Sequence, residues 1–591
     1  MDFYIKRKET FLKQLNTLKN SYNLISIARM AVIAAIITLG YFSIKDGQNR
    51  PAYIWAIVGG SAIFILLMNR HNLLSEKKKR AEAIVAINDN EITFLENKHL
   101  PFDNGIEFIN TAHPYSHDLD LFGNRSLFHN LNRTYTYKGK QKLSSLLLSL
   151  LPNKEIVDNQ EAIKELAAEP EFRQEIMAQG KVNNDSEQVY SKLMAWQQRP
   201  AAQVNIISKI IAIASPALLI VLLLAYIITQ KDELSTYMGY VIAFNICFML
   251  FQVKKITPEI KDTTDVGSII KGYAKIITKI ENQEFKSARL NSLKTALISN
   301  NIKAGSLIKK LGVLFSQMDS ISNVFAAAVL NGLFLYHFHI FNALAEWKKK
   351  HGSKIADWLD VVAETEALSS MANMYYNNPD FCFPQLNTNH EVTFSNISHP
   401  LLKRESRVGN DVAFNPGFTI LTGSNMSGKS TFLRSLGVNM VLAGCGAPVC
   451  AKEANIHPLP VLVSMRLSDS LSDSESYFFA EIIRLKEIMD ALQNNRAFVL
   501  LDEILRGTNS DDKQMGTIKV IEKMVAYKAI GAIATHDIEV CDTTYKYPAE
   551  LINRCFEVQI IDNELYFDYQ LLNGVCKNRS ATFIMKKMGV I

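Results

Sequence analysis

The hydrophobic pattern divides the chain before any motif does. Residues 24–44 and 52–68 are two nearly unbroken apolar runs joined by the polar link KDGQNRP, and residues 210–228 and 237–253 form a second pair around TQKDELST. Runs of roughly 20 apolar residues match the hydrocarbon thickness of a bilayer, so the pattern predicts four membrane-spanning helices in two hairpins. The run at 52–68 is short but carries no charge. A cleaved leader is not expected, because the first run is too long and a second follows at once. Residues 118–198 show helical spacing instead, with Leu143, Leu146, Leu147, Leu150 and Leu151 on one face. Residues 254–386 are helical again, without sustained heptads. A fifth apolar run, 323–342, holds Asn331, His337 and His339 and has basic residues on both flanks. Reading it as a span would send everything after it across the membrane, so it is expected to be a buried core helix with satisfied histidines.

Beyond residue 390 the period changes. Short β-branched or apolar runs at 418–422, 459–466, 498–503 and 529–535 alternate with helical stretches, which predicts a parallel sheet flanked by helices. Residues 557–569 alternate around Asp562 and Asn563 and predict an edge hairpin. The resulting division is 1–80 for a basic segment and the first hairpin, and 81–203 for the first part of a helical body. Residues 204–253 form the second hairpin, 254–390 the second part of the body, and 391–591 an α/β domain.

Charge fixes an orientation for this arrangement. Lys6, Arg7, Lys8, Lys13 and Lys19 precede the first run, residues 77–80 (KKKR) follow the second, and Lys254 and Lys255 follow the fourth. The hairpin tips are nearly neutral. An excess of Lys and Arg marks the cytoplasmic side, so the expectation is a multi-pass protein of the inner, cytoplasmic membrane with the α/β domain in the cytoplasm and the lipid bilayer as partner. A net charge of +6 over 591 residues permits contact with nucleic acid without requiring it. The seven cysteines include no CxxC pair, so no zinc or disulfide partner is expected.

The chemistry concentrates after residue 418. A strand enters GSNMSGKS (residues 423–430) and a helix follows, which is the context that makes G-x-x-x-x-G-K-[ST] a phosphate site. Backbone N–H groups of Gly423, Ser424, Asn425, Met426, Ser427 and Gly428, together with Lys429, Ser430 and Thr431 at the helix start, would hold a polyphosphate. Lys429 would reach the β- and γ-phosphates and the Ser430 hydroxyl would ligate Mg²⁺. The strand FVLLDE ends in two carboxylates: Asp502 suits the Mg²⁺ shell and Glu503 the attacking water. The next strand ends in His536, placed to sense the γ-phosphate. Together these predict an ATP- and Mg²⁺-dependent ATPase with Glu503 and His536 as its catalytic pair.

GSNMSGKST, DEILRGTNSDD (502–512) and ATHD (534–537) resemble the MutS family of DNA mismatch-repair ATPases, which shares its ATPase architecture with ABC proteins. His399-Pro400-Leu401, SESYFFAE (474–481), the C-terminal YQLLNGVCKNRSATFIMKKMGV and NRTYTYKGKQKLSSLL (132–147) are similar to further family stretches, so the resemblance spans residues 118–200 and 254–591. It implies an α/β P-loop NTPase domain of the ABC/MutS type behind an all-α core and lever. It further implies a homodimer through the ATPase domains. Ser476 of one chain would approach the γ-phosphate bound by the other, with Arg506 through Asp512 at the seam. DNA is the partner the family suggests.

The departures shape the functional expectation. The family's mismatch-recognition and connector domains have no counterpart, and membrane hairpins stand in their place. No clamp insertion is recognisable within 254–386. Arg407 occupies the position where the family carries an aromatic ring for the base, and Ser424 and Ser427 replace the usual Pro and Gly. Two functions remain open: a membrane-anchored MutS-like ATPase changing shape on DNA, or an ABC-like membrane ATPase for transport or membrane stress. The absence of LSGGQ before the carboxylate strand weighs against the second.

Overall fold

The computed structural model describes residues 1–46, 48–96, 98–260, 266–299, 301–415, 417–424, 426–466, 477–561 and 564–577. Helices α1 (Asp2–Lys45) and α2 (Arg50–Leu95) form a long antiparallel pair, with Pro51 in the first turn of α2, where its missing N–H leaves no bond unmade. Helices α3 (Ile206–Thr229) and α4 (Asp232–Ile260) form the second pair, and α3 runs through Pro216 without ending. By length and composition α1, α2, α3 and residues 232–253 of α4 are long and apolar enough to cross a membrane. The most apolar stretches of α1 and α2 bury nothing against the protein.

Both helices of the first pair continue far past their apolar runs. Phe11 and Leu15 of α1 and Ala81, Ile84 and Ile87 of α2 make a small core with Met177 and Ala178 of the helix Pro170–Asn183. Arg7 pairs with Glu171 at 3.1 Å, and Arg80 with Glu175, at the edge of that contact.

The fifth apolar run is not one buried helix. It breaks into α5 (Val324–Phe334) and α6 (Tyr336–His351) at Leu335, whose φ of +49° ends the first segment. Helix α6 is buried through His337, Phe338, Ile340, Phe341 and Leu344, as expected. Helix α5 instead exposes Val324 (81%) and Phe325 (80%). Asn331 explains the break: its Oδ1 accepts hydrogen bonds from the His337 backbone N–H at 3.0 Å, capping the turn in place of helix continuation. The long helix α7 (Ile355–Asn377) runs through the middle of the helical body and is buried along most of its length.

The C-terminal part is built on a six-stranded sheet. Its strands are β1 (Phe418–Gly423), β2 (Val461–Ser464), β3 (Phe498–Asp502), β4 (Ile530–Ala534), β5 (Leu551–Phe556) and β6 (Leu571–Asn573), ordered β6-β5-β1-β4-β3-β2. All neighbours are parallel except β5 and β6. Helices α8 (Lys429–Gly444), α9 (Tyr477–Asn494) and α10 (Ser510–Ala526) cover it. The strands are buried on both faces: Leu421 belongs to one core, while Phe418 and Ile420 belong to the other. That is why they read as apolar runs rather than alternations. Gly531 sits at φ +147°, and a Cβ there would lie 1.9 Å from the Val499 carbonyl oxygen, so β3 and β4 approach only because this residue has no side chain. A smaller sheet, formed by Gln385–Leu386, Glu453–Ile456, Val392–Ile397 and Asn410–Phe414, lies beside it. The hairpin expected near the C-terminus is present as Gln559–Ile561 paired with Glu564–Tyr566.

The helical body grips this domain at the β2 edge. Asp118 accepts hydrogen bonds from the backbone N–H groups of Met465 (2.8 Å) and Arg466 (2.7 Å), and Pro114 accepts one from Val463 (3.0 Å). An edge strand that would otherwise offer free pairing groups is thereby covered.

Candidate functional site

The register of the sheet brings the chemistry together. Ala534 is aligned with both Leu421 and Asp502, so the residues that follow β1, β3 and β4 converge at one end of the sheet, where α/β proteins bind ligands. Between β1 and α8 the chain turns through Met426 at φ +66° and Gly428 at φ +103°. Gly428 is needed there, because a side chain would meet both the left-handed backbone and the Tyr569 ring, 3.1 Å from its Cβ position. The loop thus delivers Lys429 and Ser430 as the first residues of α8, at the positive end of its dipole.

Lys429 is buried, and its Nζ donates to the carbonyl oxygens of Gly423 (2.8 Å) and Ser424 (3.1 Å) while lying 3.3 Å from His536 Nε2. Burial lowers its pKa, and the nearby carboxylates of Glu503 and Asp502 oppose that shift. His536 Nε2 lies 2.7 Å from Glu503 Oε1. The other oxygen of Glu503 is 3.3 Å from Arg506 Nη2. Glu503 itself adopts φ +47°, a costly conformation for a residue with a side chain. The hydrogen bond from His536 is the largest influence holding its carboxyl at a pKa of about 2, against its burial. Asp502 goes the other way: burial raises its pKa, with a hydrogen bond from Ser430 resisting.

Three buried oxygens around the loop have no hydrogen-bond partner among the described residues: Ser424 Oγ, Ser427 Oγ and Asp502 Oδ1. Uncompensated buried polar atoms cost on the order of 1–3 kcal/mol each, and three at one loop mark a place built for something else to bond. The space beside them is a cleft of about 500 Å³, lined by loop residues, His399, Asn410, Phe556 and Tyr569. That volume lies within the range of small-molecule sites. An oxygen set of Asp502 and Ser430 suits a hard divalent cation.

The structure therefore lines the cleft with Ser424, Ser427, Gly428, Lys429, Ser430, Thr431 and Glu503, while Gly423, Asp502 and His536 stand behind them, in contact with Lys429, Ser430 and Glu503. Met426 lines it but is 77% exposed. Asn425 and Ser476 lie outside the described residues. Asp512 is exposed in the first turn of α10, where Asn509 Oδ1 accepts from its N–H at 2.8 Å. Arg407 does not line the cleft. Its guanidinium turns to the carbonyls of Leu402 (2.8 Å) and Pro400 (3.0 Å) and over the Phe381 ring.

Two residues matter here that the sequence did not single out. Tyr569 places an aromatic ring over the loop from the far end of the chain, held by Asn410, which donates to its carbonyl (3.0 Å) and accepts from Leu571 N–H (2.7 Å). No local pattern links residues 410 and 569; the Asn410 hydrogen bonds to the chain entering β6 do. Glu481 is buried, and its carboxylate accepts from the backbone N–H groups of Leu505 (2.6 Å) and Arg506 (3.3 Å). It holds the turn that follows Glu503. Its signal was present in SESYFFAE, but spacing alone did not assign it that contact.

The fold and the site define a mixed α/β protein with a helical N-terminal half, whose sheet domain carries a polar cleft at the ends of its parallel strands. Residues 419–590 match the family model for MutS domain V. Curated relatives include the DNA mismatch repair protein MutS of Thermotoga maritima, 27% identical over 42% of this chain and 32% of that protein. The same protein of Clostridioides difficile is 26% identical over 50% of this chain and 32% of its own length. MutS protein homolog 4 of Homo sapiens is 30% identical over 31% of this chain and 20% of that protein. This part of the chain is similar to MutS domain V, and the chain spans about a third or less of the length of the relatives it matches.

Proposed function

We propose that this protein is a membrane-anchored MutS-like ATPase that binds ATP with Mg²⁺ at the cleft between β1, β3 and β4. The observation that carries the reading is the cluster of unpartnered Ser424, Ser427 and Asp502 oxygens around the Lys429 ammonium at a helix N-terminus. In this reading Lys429 leaves the carbonyls of Gly423 and Ser424 for the β- and γ-phosphates, and the loop N–H groups hold the remaining charge. Asp502 and Ser430 would hold Mg²⁺, which would neutralise charge on the phosphate oxygens. Glu503 orients and deprotonates the attacking water, and His536 keeps that carboxylate ionised and in place. Tyr569 is suited to stack on the base, a role the sequence had left without an aromatic at Arg407.

The folded pKa of Glu503 lies below its ordinary value of 4.5. Its charge, and the stability gained from it, is therefore present above about pH 4.5 and is lost only as pH falls toward about 2. His536→Ala removes the largest stabiliser of the charged form. The acid limb of ATP turnover in that variant is expected at higher pH than in the unaltered protein, and coincident limbs would contradict the pairing.

The four long apolar helices support an anchor in the inner membrane, with the cleft on the cytoplasmic side where the basic flanks lie. The similarity to MutS domain V supports a homodimer through the ATPase domains, with Arg506 and Asp512 near the seam, and DNA as the partner that couples to the ATPase cycle. The apolar helices equally favour a second reading, an ABC-like ATPase acting on the membrane itself. ATPase assays on the purified protein separate the two. Stimulation by duplex DNA that declines across a rising salt series supports the first. Indifference to DNA, with stimulation by reconstitution into lipid, supports the second.

A further inference from the structure

We propose that helix α5 is a further hydrocarbon-embedded element, entering the bilayer beside α3 and α4 and leaving on the side it entered. This rests on the membrane reading of the four long helices. Helix α5 has 11 residues, a length of about 16 Å, roughly half of the ~30 Å hydrocarbon layer. It can enter that layer but cannot cross it, so the chain after it stays on the same side as the chain before it.

The surface of α5 is apolar on the outside and polar only where the protein answers it. Val324, Phe325, Val329 and Phe334 are exposed, beside the exposed apolar side chains of α3 and α4. Its inner side lies close against α4, where a Cβ on Gly332 would come within 3.1 Å of Ile242. The Gly332 carbonyl, in the last turn of α5, accepts from Asn245 Nδ2 of α4 at 2.8 Å. Asn245 is fully buried, and its Oδ1 in turn accepts from Ser215 of α3 at 2.6 Å. At the other end Asn323 Oδ1 accepts from Ala326 N–H at 3.1 Å. Beyond the break, His339 Nε2 lies 3.0 Å from the Ala212 carbonyl of α3. In water a surface helix needs none of this, because solvent satisfies its ends. In hydrocarbon a non-helical break is tolerated only where protein groups supply the missing partners; here Asn331 caps the break, Asn245 of α4 meets the Gly332 carbonyl, and Ala212 of α3 meets the His339 side chain.

The depth agrees. Ser215 lies six residues beyond Lys209, about 9 Å along α3, and Asn245 lies eight residues before Val253, about 12 Å along α4. Lys209 pairs with Glu346 of α6 at 2.8 Å, which sets the polar level to which α6 returns before Lys348, Lys349 and Lys350. The occupant that fits the exposed face is therefore lipid acyl chain.

The test places a benzophenone amino acid at position 325 of the full-length protein in its membrane, and separately at position 224 on exposed α3. Lipid adducts at both positions are expected. Adducts at 224 with none at 325, or a protein cross-link at 325 in their place, would overturn the proposal and leave the membrane anchor standing. No lipid adduct at either position would overturn both. A second measurement labels Ser306→Cys and Lys350→Cys, in a Cys247→Ser background, with a membrane-impermeant maleimide. Labelling from one common face is expected, and labelling from opposite faces would contradict an element that does not cross.

Discussion

Glu503→Gln is expected to retain bound Mg-ATP while its turnover falls about 10²–10⁴-fold, the range a positioned general base contributes. The substitution keeps the shape of the side chain and can still accept the hydrogen bond from His536, 2.7 Å away. It removes the charge that His536, Arg506 and Lys429 together stabilise. Binding should persist because the groups that would meet the phosphates, Lys429 and the loop N–H groups, belong to α8 and the loop before it rather than to the end of β3. The strained φ of Glu503 and the anchoring of the next two residues by Glu481 make position as well as charge a property of this residue. Equilibrium nucleotide binding and steady-state phosphate release measure the two halves. Turnover equal to that of the unaltered protein would remove Glu503 from the chemistry.

The second large effect lies far from the cleft. Glu91, near the end of α2, accepts two hydrogen bonds from Arg133, one from Asn373 at 3.0 Å and one from Asn377 at 3.3 Å. The side chains of Glu91 and Arg133 are almost wholly enclosed, with Arg133 over the Phe94 and Phe102 rings. Glu91→Ala leaves the guanidinium buried and unpaired, which costs about 3–5 kcal/mol. Replacing both partners with apolar residues of similar volume should recover much of that, because the pair's desolvation disappears with its attraction. Thermal denaturation of the detergent-solubilised protein reads the difference. The same network includes Tyr4 of α1, whose hydroxyl donates to Asn377 at 2.8 Å, and Arg173, which donates to Asn373 at 2.6 Å. It joins both helices of the first hairpin to α7, which leads into the sheet domain.

The parts of this molecule legible in the sequence are those with a short-range physical signature. The apolar runs announced the four long helices, because length and absence of charge need no partner to be recognised. The buried strands of the parallel sheet were equally plain, since both of their faces are covered. Lys429, Ser430, Asp502, Glu503 and His536 could be named because each follows or begins an element whose end the pattern fixes. What escaped depends on contacts between distant residues. The split of the fifth run at Leu335 turns on Asn331 and on helices more than 80 residues earlier. The aromatic ring over the loop comes from residue 569, held through Asn410 at a separation of 159 positions. The polar network around Glu91 joins residues up to 373 positions apart, and no spacing rule reaches that far.

The proposed function requires a nucleoside triphosphate in the cleft beside Lys429. Equilibrium binding of ATP with Mg²⁺ to the purified full-length protein, compared with Lys429→Ala, tests it most directly. Saturable binding to the unaltered chain, lost in the variant, is the predicted result. Absence of binding to the unaltered chain, or equal binding to both, would contradict it.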